Sequence, residues 1–245
     1  MPYPMIHMQI AWRAAFLSGG IRRPGDFILG SVAPDAVHFH DGFCREMKET
    51  THLWKGCGPF WGATTDPERW KRNIERFRQD VIRSGGCESP DFAAGYLAHL
   101  LSDYLYDVRI YTPLRKRLES SGDSAAFMEY RAEARSFDQW LHQNSPDRER
   151  IWELLSAGRP CGIRGLILKE DVERQQNSLL QEQFVHSGDY EISGNLYCTR
   201  EKMEAFMEEC VRLIVDNRPE EVSRKNRGSR TKVKSRIGSI REKVK

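Results

Sequence analysis

Apolar residues along this chain recur mainly at the spacing of an α-helix. Residues 8–18 carry them on one face, and Gly19-Gly20 follows as a typical helix end. Asp66-Pro67 and Ser89-Pro90 each place a capping side chain directly before a proline, a combination that favours a helix start. Helices are therefore predicted over residues 8–18, from Pro67 to Gly85-Gly86, from Pro90 to about Val108, over 124–143 and 147–157, and from Thr199 to about Asp216.

Strand signals are confined to short pieces, of which residues 189–198 are the clearest. Neither an internal repeat nor a linker precedes residue 217. The pattern predicts an all-α fold, a single multi-helix bundle over residues 1–217. Residues 218–245 consist largely of Arg, Lys, Ser and Gly, with too few apolar side chains for a core, and are predicted to form a disordered basic tail.

Charge divides the chain at the same place. The 245 residues carry a net charge of +3, with 38 Lys and Arg against 35 Asp and Glu. Residues 218–245 hold 11 Lys and Arg against 3 Glu, which leaves residues 1–217 with 27 basic and 32 acidic residues. The tail is a candidate contact for an anionic membrane surface or for nucleic acid, although it lacks aromatic residues for base stacking. A solubilising role is the alternative.

The chain contains no apolar run near the roughly 20 residues of a membrane span. Its first residues, M-P-Y-P-M-I-H, lack the basic segment of a secretory signal. The six cysteines are scattered and form no C-x-x-C pair. We therefore expect a cytoplasmic protein with free thiols, which the tail would make peripheral to a membrane if it binds one.

The predicted helix after Ser89-Pro90 is apolar on nearly every face, yet it contains His99 and Asp103. Residues four apart lie one turn apart on the same face of a helix. A buried, ionised Asp is costly unless a cation or several donors meet it. The pair therefore indicates two ligands for one metal ion, with a His–Asp hydrogen bond that supports the core as the alternative.

Three further residues of ligand type precede this helix. His7 stands ahead of the first predicted helix, Asp35 ends the turn sequence G-S-V-A-P-D, and His52 lies in E-T-T-H-L. With His99 and Asp103 they make three imidazoles and two carboxylates. That set suits Zn²⁺ or another divalent transition metal.

In order and spacing, His7, G-x-x-A-P-D, T-H and G-Y-L-A-H-L-L-S-D resemble the zinc-dependent phospholipase C family over roughly residues 5–108. That family includes the catalytic domain of glycosylphosphatidylinositol-specific phospholipase D, and the zinc-dependent single-strand nucleases are similar in fold. The resemblance implies an all-α bundle with metals in a cleft between helices. It also implies a main zinc ion held by Asp35, His52, His99 and Asp103, with Asp103 bridging to a second metal held by His7.

The resemblance is incomplete beyond residue 108. Secreted members use the mature amino terminus as a ligand, whereas six residues precede His7 here. Members also carry a later His-x-x-x-Glu pair for a further zinc, whereas His142 is followed four residues later by Pro146. The candidates for a second or auxiliary site are Asp107, Glu133, Asp138, His142 and, near Asp35, His38. A solvated charged face is the alternative for those on the helix over 124–143.

Together with the resemblance, these residues predict a metal-dependent phosphoester hydrolase, and the resemblance implies a phosphodiesterase of phospholipase C type with one or two zinc ions. Asp35, or else another carboxylate of the cleft, is the candidate catalytic base for a metal-activated water. A small phosphoester or a phospholipid headgroup is the expected substrate. An HD-type nucleotide phosphohydrolase that uses His40-Asp41 remains an alternative, as does a non-catalytic protein with a structural metal site. Four aromatic residues either line an apolar substrate groove or belong to the core: Trp54, Phe60, Trp61 and Trp70.

Overall fold

The computed structural model describes residues 2–18, 20–83, 86–122, 124–185 and 188–217. The predicted basic tail, residues 218–245, lies outside them. A 3-10 helix (Ala33–Phe39) follows the second α-helix, and π-helical turns extend the fourth (Arg78–Arg83) and the fifth (Asp107–Tyr111). The α-helices of the described residues are α1 (Pro4–Ser18), α2 (Pro24–Gly30), α3 (Arg45–Thr51), α4 (Pro67–Phe77), α5 (Pro90–Tyr106), α6 (Thr112–Ser121), α7 (Ser124–Asn144), α8 (Arg148–Ala157), α9 (Lys169–Gln181) and α10 (Arg200–Asp216).

The predicted all-α fold is confirmed, and its capped helix starts are confirmed with it. Asp66 accepts a hydrogen bond from the backbone N–H of Arg69 at 2.8 Å, and the Ser89 hydroxyl accepts one from that of Phe92 at 3.3 Å. Helices α7, α8 and α10 agree with the predicted ranges to within about one residue. The start of α1 differs, because proline suits the first helical position and the helix begins at Pro4. His7 therefore lies inside α1, and its expected place ahead of the helix was wrong.

The predicted strand over 189–198 was wrong. Three of its backbone N–H groups, those of Leu196, Tyr197 and Cys198, donate to a side chain and not to a neighbouring strand. Their acceptor is the Glu133 carboxylate, at 2.7–2.8 Å. Within the described residues the β-type pairing consists of an isolated bridge between Ile163 and Ile167.

Helix α5 lies at the centre of the bundle and packs against α1, α2, α4 and α10. Its closest approach is to α2, at a pair of glycines. A Cβ atom at Gly30 would overlap the carbonyl oxygen of Phe92, and a Cβ atom at Gly95 would overlap that of Phe27. Because both positions lack a Cβ, the two backbones touch, and the 3-10 helix that follows α2 is brought beside the buried face of α5.

Two further expectations concern the chain as a whole. All six cysteines are free, as expected, and five of them are buried. Among the helices of the described residues, none is both long enough and apolar enough to cross a membrane.

Candidate metal centre

Four elements, of which α5 is one, bring the five predicted ligands together. His7 comes from the first turns of α1, Asp35 from the 3-10 helix and His52 from the end of α3, while α5 contributes His99 and Asp103. The three histidines and Asp103 are each at most 2% exposed. The side chain of Asp35 is 22% exposed, so it connects the buried cluster to solvent.

Three of the ligand atoms are spaced like neighbouring donors around one metal ion, and a fourth lies beside them. The Nε2 atom of His52 lies 3.4 Å from Asp35 Oδ1 and 3.4 Å from Asp103 Oδ2. The Nε2 atom of His99 lies 3.2 Å from that of His52 and 3.5 Å from Asp103 Oδ2. Three atoms 3.2–3.5 Å apart have a common point roughly 2.0 Å from each, which is the length of Zn–N and Zn–O bonds. His52, His99 and Asp103 therefore fit one zinc ion, and Asp35 Oδ1, 3.4 Å from Nε2 of His52, is the neighbouring fourth candidate ligand.

The other oxygen of Asp103 faces a second position. Its Oδ1 atom lies 3.4 Å from Nε2 of His7, whose ring stacks on that of His99 at 3.9 Å between centroids. Both nitrogens of His7 and Oδ1 of Asp103 are buried without a hydrogen-bond partner. Unpaired buried polar atoms are costly, and a cation between His7 and Asp103 would satisfy two of these three. The donor set thus also fits a second ion that shares Asp103.

Backbone carbonyls hold two of the three imidazoles, those of His99 and His52, in the form that a metal requires. Nδ1 of His99 lies 2.8 Å from the carbonyl oxygen of Ser31, and Nδ1 of His52 lies 3.0 Å from that of Lys48. Since a carbonyl oxygen can only accept, the neutral form of each ring that fits this contact carries its hydrogen on Nδ1 and leaves the lone pair of Nε2 for a ligand.

The chain around His52 is fixed by buried donors. The indole of Trp70 donates to the carbonyl oxygen of His52 at 2.8 Å, and the hydroxyl of Tyr96 donates to the carbonyl oxygen of Thr51 at 2.7 Å. Leu53, which follows, has a φ of 55°, a left-handed conformation that is strained for a side chain of this kind. The surrounding contacts therefore impose the backbone path that presents His52.

Burial and neighbouring charges set the protonation of the cluster. Burial lowers the pKa of His7 to about 4, and it does the same for His52, so both are neutral near pH 7. Burial alone would raise the pKa of Asp103, but His99 and His7 hold it well below its usual range. Burial would also lower the pKa of His99, yet Asp103 raises it, so a metal ion competes with a proton for this imidazole.

Lys48 is a member of the site that the sequence analysis missed. It lies on α3, one turn before His52, and its Nζ atom is 2.7 Å from Asp35 Oδ1. The ammonium group outweighs burial and, with His52, keeps the pKa of Asp35 well below its usual range. The spacing of four residues between Lys48 and His52 was the signal that could have revealed it.

A cleft of about 530 Å³ opens beside Asp35. Its charged and polar wall contains Asp35, His38 and Lys48, and its apolar wall is largely aromatic. The aromatic residues of the cleft are Tyr3, Phe39, Trp61, Tyr111, Phe127 and Tyr130. Of the four aromatic residues that the sequence assigns to a groove or to the core, Trp61 lines the cleft. Trp54 and Trp70 are buried in the core, and Phe60 is exposed.

Two auxiliary candidates lie near the centre. His38 lines the cleft, with Nε2 3.7 Å from Asp35 Oδ1. Asp107 is buried one turn beyond Asp103, where one oxygen accepts from the Thr112 hydroxyl at 3.2 Å and the other has no hydrogen-bond partner. Neither residue belongs to a group of three potential ligands among the described residues.

The other three auxiliary candidates have separate partners. Glu133 binds the backbone of residues 196–198, and Asp138 accepts the N–H of Ile6 at 2.9 Å. The ring of His142 packs against Trp152 and Phe184. In the part of the chain that the structure describes, Glu133, Asp138 and His142 do not form a ligand group.

The His40-Asp41 pair is joined to α9 and not to the centre. Nδ1 of His40 lies 2.8 Å from Asp171 Oδ2, and Asp41 pairs with Arg174 at 3.0 Å. Within the described residues neither His40 nor Asp41 belongs to a group of three possible ligands.

The fold and the site define a class of protein: a helical bundle with a buried His/Asp centre of metal-binding geometry beside an open cleft. Comparisons of the chain with protein-family models, with curated proteins and with solved structures give no match. The centre and its cleft are therefore the features from which a function can be inferred.

Proposed function

We propose that this protein is a metal-dependent phosphoester hydrolase, a phosphodiesterase of phospholipase C type with one or two zinc ions. The observation that carries the proposal is the close spacing of ligand atoms from His52, His99 and Asp103, with Asp35 beside them at an open cleft. The resemblance in motif order over residues 5–108 supports the same chemistry.

Each residue of the centre has a distinct role in this proposal. Asp35, His52, His99 and Asp103 would hold the main ion, and His7 with Oδ1 of Asp103 would hold the second. A divalent ion so placed lowers the pKa of a bound water and offsets the negative charge of a phosphate in the transition state. Asp35 is the ligand with access to the cleft, so its carboxylate is the group that would accept the proton of the attacking water.

The size and lining of the cleft suit a small substrate. A volume of about 530 Å³ matches a small phosphoester or the headgroup of a phospholipid. The basic residues 218–245 would hold a cytoplasmic enzyme at an anionic membrane surface, with contact to nucleic acid as the alternative.

Metal analysis combined with a phosphodiesterase assay tests the proposal. Purified protein, loaded with zinc and desalted, is expected to retain one or two ions and to hydrolyse bis-p-nitrophenyl phosphate. A chelator should abolish the activity, and added zinc should restore it. His52→Ala should lose the main ion, His7→Ala the second ion alone, and His142→Ala, a buried histidine outside the centre, should retain both. Folded wild-type protein that takes up no zinc would contradict the proposal.

The depth of burial favours one other function, a structural metal site without catalysis. The three histidines and Asp103 are almost completely shielded from solvent, as in many structural centres. On that alternative His99→Ala unfolds the protein, whereas the hydrolase proposal expects a folded and inactive variant. Circular dichroism of His99→Ala, recorded with the activity, separates the two. An HD-type phosphohydrolase would instead require that His40→Ala, and not His52→Ala, abolish metal binding.

A further inference from the structure

Lys48 places a positive charge between the metal centre and the cleft. Its side chain is 16% exposed and lines the cleft, while its Nζ atom lies 2.7 Å from Asp35 Oδ1 and 3.2 Å from His38 Nε2. Asp35 Oδ1 also faces Nε2 of His52 at 3.4 Å. An ion held by Asp35 and His52 would therefore share this carboxylate oxygen with the ammonium group, and two positive charges would meet at the inner end of the cleft.

Trp61 ties the position of Lys48 to that of His52. The Nζ atom lies 5.4 Å from the centroid of the Trp61 ring, within the range of a cation–π contact. The same ring meets the imidazole of His52 edge-on, with 4.7 Å between centroids. The ammonium group is thus held by an aromatic wall on one side and by Asp35 on the other.

The hydrogen-bonding capacity of Lys48 is incompletely used by these neighbours. An ammonium group donates three hydrogen bonds, and Asp35 and His38 account for two. The remaining donor is available to a ligand in the cleft. We propose that Lys48 binds a nonbridging oxygen of the substrate's phosphoryl group, so that the cleft selects anionic phosphoesters over uncharged esters. This inference rests on the proposed function, because it needs the neighbouring ion to place that phosphoryl group.

The test uses inorganic phosphate as the probe and the full-length, zinc-loaded protein. Zinc content is measured first for wild type, Lys48→Met, Lys48→Gln and Lys48→Arg, and for Lys55→Met, a control at an exposed lysine near α3. Phosphate binding is then measured by isothermal titration calorimetry, and hydrolysis of bis-p-nitrophenyl phosphate by kcat/KM. The two neutral variants at Lys48 should keep their zinc but bind phosphate about tenfold more weakly or worse, since a charge-assisted hydrogen bond is lost. Lys48→Arg should retain most of the affinity, and Lys55→Met should equal wild type.

The outcomes separate this inference from the proposed function. Wild-type protein that holds no zinc contradicts the metal centre itself, before any phosphate is added. Zinc-loaded wild type that binds no phosphate, or a neutral variant that binds it within about twofold of wild type, overturns the role of Lys48 and leaves the centre intact. Loss of zinc from the neutral variants also overturns it, because Lys48 would then support the centre and not the substrate. The use of both Met and Gln keeps the test decisive if one variant fails to fold.

Discussion

At the scale of single residues, the centre depends on atoms that have no role in an ordinary hydrophobic core. His7 is fully buried, yet neither of its nitrogens has a hydrogen-bond partner, and one oxygen of Asp103 shares that condition. By contrast, Nδ1 of His99 is hydrogen-bonded to the backbone carbonyl oxygen of Ser31. A residue packed only for stability would be expected to satisfy its polar atoms, so the unpaired atoms mark the places that a cation fits.

Asp138 offers a test of buried charge beside the start of α1. Burial raises its pKa to about 7, although the backbone N–H groups of Ile6 and Met5 at the start of α1 lower it in part. In the unfolded chain the same carboxyl group has a pKa of about 3.9. The folded state therefore binds the extra proton between about pH 4 and pH 7, and stability falls as the pH rises through that window.

Asp138→Asn is expected to remove this pH dependence. The amide oxygen can still accept the N–H of Ile6 without a buried charge, so the variant should be more stable than wild type at pH 8, by up to about 4 kcal/mol. The gain should shrink towards pH 4. Urea unfolding at a series of pH values measures it, with Asp189→Asn at an exposed position as the control. Equal stability of Asp138→Asn and wild type at pH 8 would show that the buried carboxylate carries no such cost.

At the scale of elements, local signals decided which helices were predictable. The helix starts at Asp66 and Ser89 were predicted correctly because a capping side chain and the following proline act within one turn. Helices α2 and α3 are seven residues long, too short to show a period, and α9 is a polar helix that buries Gln175 and Gln176. The strand predicted over 189–198 failed because its partner is Glu133, more than fifty residues away in the chain.

The crossing of α2 and α5 yields a prediction about how elements position the site. A methyl group at Gly95 would meet the backbone carbonyl of Phe27, which cannot move without shifting α2. Gly95→Ala should therefore lower the free energy of unfolding by about 2–3 kcal/mol and weaken zinc binding, since His99 lies one turn further along α5. The same change at Gly194, where a Cβ atom would meet open space, should alter stability by less than about 0.5 kcal/mol.

Thermal unfolding and zinc titration compare Gly95→Ala with Gly194→Ala. A Gly95→Ala protein as stable as Gly194→Ala would mean that α2 and α5 can move apart.

At the scale of the whole molecule, the cluster of five candidate ligands was predictable mainly through two of them, whose residue types are anomalous in their surroundings. His99 and Asp103 interrupt an apolar helix, and that contrast is visible in the sequence alone. Lys48 was not found because a lysine on a short polar helix is unremarkable until the fold sets it against Asp35. Glu133 and Asp138 look like metal ligands in the sequence for the opposite reason: their backbone partners are distant in sequence and give no local signal.

The joining of three elements at the main ion predicts that metal binding stabilises the entire bundle. An ion bound at Asp35, His52, His99 and Asp103 ties the 3-10 helix and the end of α3 to α5, and the unfolded chain does not offer this arrangement. Zinc at about one hundred times its dissociation constant should therefore add about 2.7 kcal/mol to the free energy of unfolding. Thermal unfolding with zinc and with chelator measures the shift. His52→Ala should show little of this zinc-dependent shift in the unfolding midpoint, and His142→Ala should show all of it. A wild-type midpoint that zinc does not move would mean that the centre binds no ion.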